Sequence, residues 1–253
     1  MSKLNVAVLI PMTSKNQTWL NLVDCSFIRI FLTNFLKTYE SKYNYRFYIG
    51  IDDNDVFFQK YKNDLQARLK KTDKIINFDN SYNGAPCKIW NKLYSLAYYD
   101  ENDYFFQVGD DIQLLSSNWT SYFINILQRN NNIGICGGVE ISQWNNRLIQ
   151  GEPGILENIF TGRKHYDIFK TFFNKNLKNW FSDDWASRVY GNFGLCFISP
   201  NIEFINTNRV GDHNELSRYK PDGKAKKLYE EALVVDSIIL KKYLKSSLSN
   251  NQH

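Results

Sequence analysis

Two neighbouring carboxylates, Asp110 and Asp111, close the apolar run Tyr104-Phe105-Phe106-Gln107-Val108-Gly109, and the chain turns apolar again at Ile112. Like charges repel, and an acid beside a core keeps its charge poorly, so a pair at a strand end calls for a cation. In α/β proteins the carboxyl ends of strands are also where ligands bind. Asp and Gly are equally ordinary turn residues, and a solvated turn is the plain alternative. A second acidic cluster, Asp52-Asp53-Asn54-Asp55, follows the apolar run at 46–51. If both runs are parallel strands, both clusters fall on one edge of a sheet. No glycine-rich phosphate cradle of the GxGxxG or GxxxxGKS/T type occurs, which argues against a Rossmann dehydrogenase or a P-loop enzyme. A nucleotide held without such a loop needs its diphosphate charge neutralised otherwise, and a divalent metal on carboxylates does that.

The elements that must carry these acids alternate along the chain. Residues 5–10 are continuously apolar, as in a strand covered on both faces, and a turn follows at Pro11-Met12-Thr13-Ser14. Between 19 and 39, Leu20, Val23, Phe27, Phe31 and Phe35 recur at helical spacing. Strands are expected at 46–51, 75–78, 104–108 and 133–139, with helices at 56–71, 85–99 and 119–128 between them. This order predicts an α/β fold, a mainly parallel sheet with helices on both faces. Residues 143–179 mix Gly, Asn, charges and aromatics, and read as loops and short helices. Strand-like runs at 195–198 and 203–205 precede a long amphipathic helix at 224–244. With no repeat and no linker composition, residues 1–253 read as one unit. Its nucleotide-binding half spans about 1–140, its acceptor half about 141–245, and a polar tail at 246–253 is expected to fray.

Composition narrows the function. A chain of 253 residues, 43% hydrophobic and 23% charged, is an ordinary globular protein long enough for a sizeable core. The net charge of +5 is mild, and Lys and Arg are spread out rather than drawn into the stripe of a nucleic-acid binder. Small clusters at Arg68-Leu69-Lys70-Lys71 and Lys224-Ala225-Lys226-Lys227 read as solvated helix faces, although a basic rim would suit an anionic substrate. Cys25, Cys87, Cys136 and Cys196 lie far apart among apolar residues. That suggests buried thiols in a reducing compartment rather than disulfides or a zinc knuckle. No apolar run approaches membrane-spanning length, and the first is too brief for a signal peptide, so a cytoplasmic protein is expected.

A short first strand leading to a Pro-containing loop, an acid after the second strand and an Asp-x-Asp-like cluster after the fourth together resemble the GT-A glycosyltransferases, their family 2-like members most of all. The likeness covers most of the first half of the chain. It implies a GT-A fold, a nucleotide-diphosphate sugar donor (UDP-linked by preference), and Mn²⁺ or Mg²⁺. Gly109 occupies the first acidic place of the motif, leaving Asp110 and Asp111; the resemblance makes Asp111 the metal ligand and Asp110 a donor contact. Pro11 and Thr13 in the first loop, and Asp52 after the second strand, match positions that contact base and ribose, and Asp52 suits a uracil ring N–H. Lys88 sits where some members use a basic group near the nucleotide, although a solvated helical lysine is the simpler reading. Asp53 and Asp55 read as helix caps.

Downstream, Asn179-Trp180-Phe181-Ser182-Asp183-Asp184-Trp185 is similar to the second acidic motif of these enzymes. Asp184 matches the position of the base that takes a proton from the acceptor hydroxyl, with Asp183 second in line. Alternatively, Ser182 and Asp183 cap the helix that follows. His213, in Val210-Gly211-Asp212-His213-Asn214, matches a His that completes the metal coordination, with Asp212 as its neighbour should the register slip. His165, in Arg163-Lys164-His165-Tyr166-Asp167-Ile168-Phe169, together with the Asn-Trp-x-x-Asp-Asp-Trp segment resembles a subgroup from eukaryotes and large DNA viruses, which implies a place near acceptor or diphosphate. Trp144, Trp180 and Trp185 are candidates for stacking on a sugar ring, with core packing the alternative for each. The activity implied is inverting sugar transfer. A sugar nucleotidyltransferase and a catalytically silent binding module are the rivals; Pro11-Met12-Thr13-Ser14-Lys15-Asn16 lacks the Gly-rich loop of the first, and Gly109 favours the second.

Overall fold

Strand β1 (Asn5–Met12) shows why the sheet is covered twice. Val6, Val8, Ile10 and Met12 pack into one apolar cluster, Ala7 and Leu9 into another on the opposite face, the period-2 alternation of a strand. The structure, a computed structural model, describes residues 3–141, 154–207 and 223–249. Its other strands are β2 (Asn44–Asp52), β3 (Lys74–Phe78), β4 (Tyr104–Gln107), β5 (Ile112–Leu114), β6 (Ile135–Glu140), β7 (Ile159–Gly162) and β8 (Cys196–Asn206). They form one sheet in the order β3-β2-β1-β4-β7-β6-β8-β5. The pairs β1–β2, β2–β3, β1–β4 and β6–β8 are parallel, while β7 runs against β4 and β6, and β5 against β8. The carboxyl ends of six strands therefore share one edge, and β5 and β7 begin there.

One face carries a 3-10 turn at Leu22–Asp24, a π-helical stretch at Phe27–Leu32 running into α1 (Thr33–Thr38), then α2 (Val56–Lys60), α3 (Lys62–Ala67) and α5 (Trp119–Arg129). Trp119 is wholly buried there, its ring 4.9 Å from Phe106 and within 6.3 Å of Phe35. The other face carries α4 (Pro86–Tyr99), α6 (Arg163–Phe169), α7 (Ser182–Gly191) and α8 (Ala225–Ser249). Helix α4 lies close over β2 because position 50 has no side chain. A Cβ on Gly50 would come within 2.5 Å of Ile89 and 2.9 Å of Phe78.

Several expectations are revised. The first helical segment starts at Leu22 rather than 19 and is interrupted at Cys25, whose extended backbone (ψ 146°) ends the opening turn. The helix expected at 56–71 breaks at Tyr61, which leaves helical backbone at ψ 12°. Strand β1 runs through Pro11 and Met12, which were expected in a turn; β4 pairs only as far as Leu9, so the N–H that Pro11 lacks has no β4 partner to miss. The two expected strands at 195–205 are a single β8, whose register jumps from Gly138↔Ser199 to Val139↔Glu203 around Pro200. Helix α8 continues to Ser249, so residues 246–249 of the expected tail are helical.

Candidate active site

The acids at the end of β2 divide their labour. Asp55 is a staple between two βα connections: its carboxylate caps α2 at Phe58 N (3.1 Å) and accepts from Ser14 N and Ser14 Oγ, both at 2.7 Å. Thr13 Oγ1 lies 3.5 Å from the same group, and Thr13 is buried. Asp55 is thus the cap expected of it, whereas Asp53 is exposed and takes no cap position. Asp52 is different. Its Oδ1 is buried with no hydrogen-bond partner, and burial, followed by the charges of Asp55 and Asp53, raises its proton affinity. A buried acceptor left unmade costs about 1–3 kcal/mol. An incoming N–H at this strand end would relieve that cost. Pro11 is buried within β1. Lys88, on the first turn of α4, is exposed with Nζ 3.4 Å from the Ser81 carbonyl, the solvated lysine of the simpler reading.

Asp110 and Asp111 follow β4 directly and lead into β5. Asp110 is buried at 1% exposure, close enough to Cys25 to act on its thiol, which burial first and Asp110 second push up to about 11. Asp111 is half-buried, and its backbone carbonyl is gripped by Thr207 at the end of β8, through N (3.2 Å) and Oγ1 (3.0 Å). Gly109 now has a physical reason. A Cβ there would meet Asp111 Oδ1 at 2.6 Å, so the missing first acid is the space that the Asp111 carboxylate occupies. Oxygen donors of this kind suit Mn²⁺ or Mg²⁺, and a carboxylate seated at a strand end through this Gly109 cradle fits such an ion. Among the described residues no three His, Cys, Asp or Glu side chains converge to hold one. His213, with Asp212, lies outside the described residues, as does Trp144.

The second acidic pair opens α7. Phe181, at the cap position, has left-handed backbone (φ 67°) and makes no side-chain cap. Its ring stacks on Tyr229 of α8 at 5.5 Å. Ser182 Oγ donates to the Asn179 carbonyl (2.7 Å), so the expected Ser182 cap is not made, while Asp183 accepts from Asp184 N at 3.1 Å. The proton affinity of Asp183 is pushed up to about 7 by burial, then by the charges of Asp184 and Glu157. Its charge also reaches Cys87 at the first turn of α4, a thiol raised chiefly by burial. Asp184 lies toward α8, where burial first and Asp184 second raise the Tyr229 hydroxyl. A cleft of about 350 Å³ beside the pair is lined by Asn83, Asn176, Asn179, Trp180 and Leu228, and Trp180 is 45% exposed.

Two expected site residues are core residues instead. His165 is buried; its Nδ1 is 2.8 Å from Tyr190 Oη and its Nε2 2.8 Å from the Phe172 carbonyl. Burial lowers its pKa to about 4, so it stays neutral. Trp185 is wholly buried, with Nε1 donating to Asp236 of α8 at 2.9 Å, and offers no face to a sugar. Two acids join the same edge unannounced. Glu140 ends β6, is buried, and accepts from Asn206 N at 3.1 Å. Its signal was present: an acid closing an apolar run, as at Asp52. Glu157 sits two residues before Ile159, whose N–H donates to Gln107 Oε1 at the end of β4 (3.1 Å), inside a segment too irregular to read.

This sheet, flanked by helices and edged with strand-end acids, is the GT-A glycosyltransferase fold. Three solved structures share it. GalNAc-T7 with UDP, GalNAc and Mn²⁺ matches at TM-score 0.60 and 12% identity over 92% of this chain and 48% of that one. A mannosyltransferase of Pyrobaculum calidifontis with GDP-Man and Mn²⁺ matches at TM-score 0.60 and 10% identity over 94% and 70%. S. aureus TarS 1-349 with UDP matches at TM-score 0.53 and 12% identity over 92% and 65%. The chain thus spans about half of the GalNAc-T7 chain. No protein-family model matches the sequence, and no curated protein does. No helix of the described residues is long and apolar enough to cross a membrane.

Proposed function

We propose that this chain transfers a sugar from a nucleotide-diphosphate sugar, UDP-linked by preference, to an acceptor hydroxyl with inversion at the anomeric carbon. The observation that carries this reading is the gathering of Asp52, Asp111, Glu140, Glu157 and the Asp183–Asp184 pair along the carboxyl edge of a GT-A sheet. Asp111, with His213 beyond the described residues, would hold Mn²⁺ or Mg²⁺, and such an ion would supply positive charge to offset the diphosphate and the departing nucleotide. Asp52 Oδ1 accepts from the base, in keeping with its lack of a partner. Trp180 and the Asn side chains beside it form the acceptor surface, an aromatic face with amides for hydroxyls.

Asp184 removes the acceptor proton. Burial, then the charges of Asp184 and Glu157, push Asp183 up to about 7, which makes it the member of the pair disposed to hold a proton. The test is turnover of UDP- and GDP-sugars with Mn²⁺, free sugar being read as hydrolysis when no acceptor is present. Release of sugar that stops with EDTA and with Asp184→Asn is expected. Donor binding with no release under any condition would leave a binding module instead.

A further inference from the structure

At the opposite end of the sheet, the amino ends of β1 and β2 border a cleft of about 450 Å³. Lys3, Arg46 and Lys70 line it together with Tyr39, Tyr43 and Tyr45, and no carboxylate does. Lys3 Nζ also donates to the Ser41 carbonyl (2.7 Å), Arg46 Nη1 donates to the Asp100 carbonyl (3.1 Å), and the Lys70 charge acts on Asp73. Glu40 accepts from Ser121 N at 2.8 Å and from the Ser121 hydroxyl, and pairs with Lys42. Asp73 is buried and accepts from Phe47 N (2.9 Å) and Lys70 N (2.8 Å). Among the described residues no ion pair joins Lys3, Arg46 or Lys70 to a carboxylate. Three cations therefore share one concave surface.

Tyr39 and Tyr43 offer the aromatic faces of the cleft, while Tyr45 is buried at 4% exposure and braces them. Tyr45 Oη is 2.7 Å from Thr120 Oγ1 and Tyr43 Oη 3.0 Å from Ser121 Oγ, so both rings are tethered through α5. Tyr39 and Tyr43 each stand nearly perpendicular to Tyr45, at 80° and 85°, and Tyr39 is 43% exposed. Rigid aromatic faces complement the apolar side of a pyranose, while Lys and Arg take a phosphate, sulfate or carboxylate. We propose that this cleft is a second binding site, remote from the acidic edge, for an anionic saccharide: a sugar ring seated on Tyr39 and Tyr43 with its acidic group among Lys3, Arg46 and Lys70. The volume suits one or two sugar rings. The site lies at the far end of the strands from the proposed chemistry, so it would anchor a charged glycan rather than react with it.

Titration of the intact chain in EDTA with glucose 6-phosphate, inorganic phosphate and glucose tests it, by calorimetry or ligand-observed NMR. Glucose 6-phosphate is expected to bind saturably and more tightly than either of the others. Lys70→Glu and Lys3→Glu should each weaken it by about tenfold or more, as a charge-assisted contact becomes a repulsion, and Lys60→Glu, an exposed lysine elsewhere, should not. Tyr39→Ala should weaken glucose 6-phosphate and leave inorganic phosphate unchanged. Equal binding of sugar phosphate and phosphate, or undiminished binding in Lys70→Glu, would overturn the proposal. Asp111→Asn should leave this titration untouched, which separates it from the donor site.

Discussion

At the carboxyl ends of the strands the chain collects acids, Asp52, Asp111 and Glu140, with Asp183 and Glu157 beside them; at the amino ends of β1 and β2 it collects Lys3, Arg46 and Lys70 among tyrosines. The two groups lie at opposite edges of the sheet, although the amino edge also carries Asp73, Asp100 and Asp103, each held by hydrogen bonds. The difference bears on how each end meets an anion. On the two proposals, a diphosphate would need a cation to approach the acidic edge, whereas an acidic sugar would meet the basic end directly. Chelation should therefore empty one end and spare the other.

The largest effect expected is on chemistry at the acidic edge. Asp184→Asn should lower turnover by about 10²–10⁴-fold, the range of a lost general base, while UDP still raises the thermal midpoint with Mn²⁺ present. Full turnover in that variant would remove the base from Asp184. Nearly as large, but on stability, is the contrast between two aromatics. Trp185→Ala should cost about 3–5 kcal/mol in urea unfolding, as a filled core position does, whereas Tyr39→Ala should stay within about 0.5 kcal/mol. A Trp185 variant of parent stability would return that ring to the surface. Asp111→Asn should abolish the Mn²⁺-dependent part of the UDP thermal shift, and persistence of that shift would take the metal away from this residue.

The smallest effect separates the ends by pH. In the folded chain Asp183 keeps its proton to about 7; in the unfolded chain it loses it near 3.8. Between those values the folded state holds more protons, so this group's contribution to stability falls as pH rises from about 4 to 7. Asp183→Asn should then be more stable than the parent at pH 8 and near it at pH 4. His165 works the other way: with its folded pKa lowered from 6.5 to about 4, it withdraws stability as pH falls across that interval. Parent and variant are therefore compared at the same pH. Lys3→Gln, at an exposed position, should show no such dependence between pH 4 and 8, and an identical profile for both variants would erase the distinction.

The first half of the fold was legible because its strands are long apolar runs, each closed by an abrupt change in polarity. That pattern marked the ends of β2 and β4 and placed Asp52 and Asp111 on one edge. The other half resisted because its elements are short and its signals mixed. Strand β5 has three residues and β7 four, too few to show a period, so Glu157 went unseen. His165 and Trp185 were misjudged for a shared reason: polar atoms on aromatic rings look functional in a sequence. Their side-chain partners, Tyr190 for one and Asp236 for the other, lie on helices 25 and 51 residues further along the chain. The basic cleft had a trace in Arg68-Leu69-Lys70-Lys71, but only folding brings Lys70 to Lys3 and Arg46.

One carboxylate, Asp55, fastens Ser14, Phe58 and, more loosely, Thr13, tying the loop after β1 to the start of α2. Exchanges at exposed Asp53 or Asn54 leave those bonds in place, whereas any exchange at Asp55 unfastens both sides together.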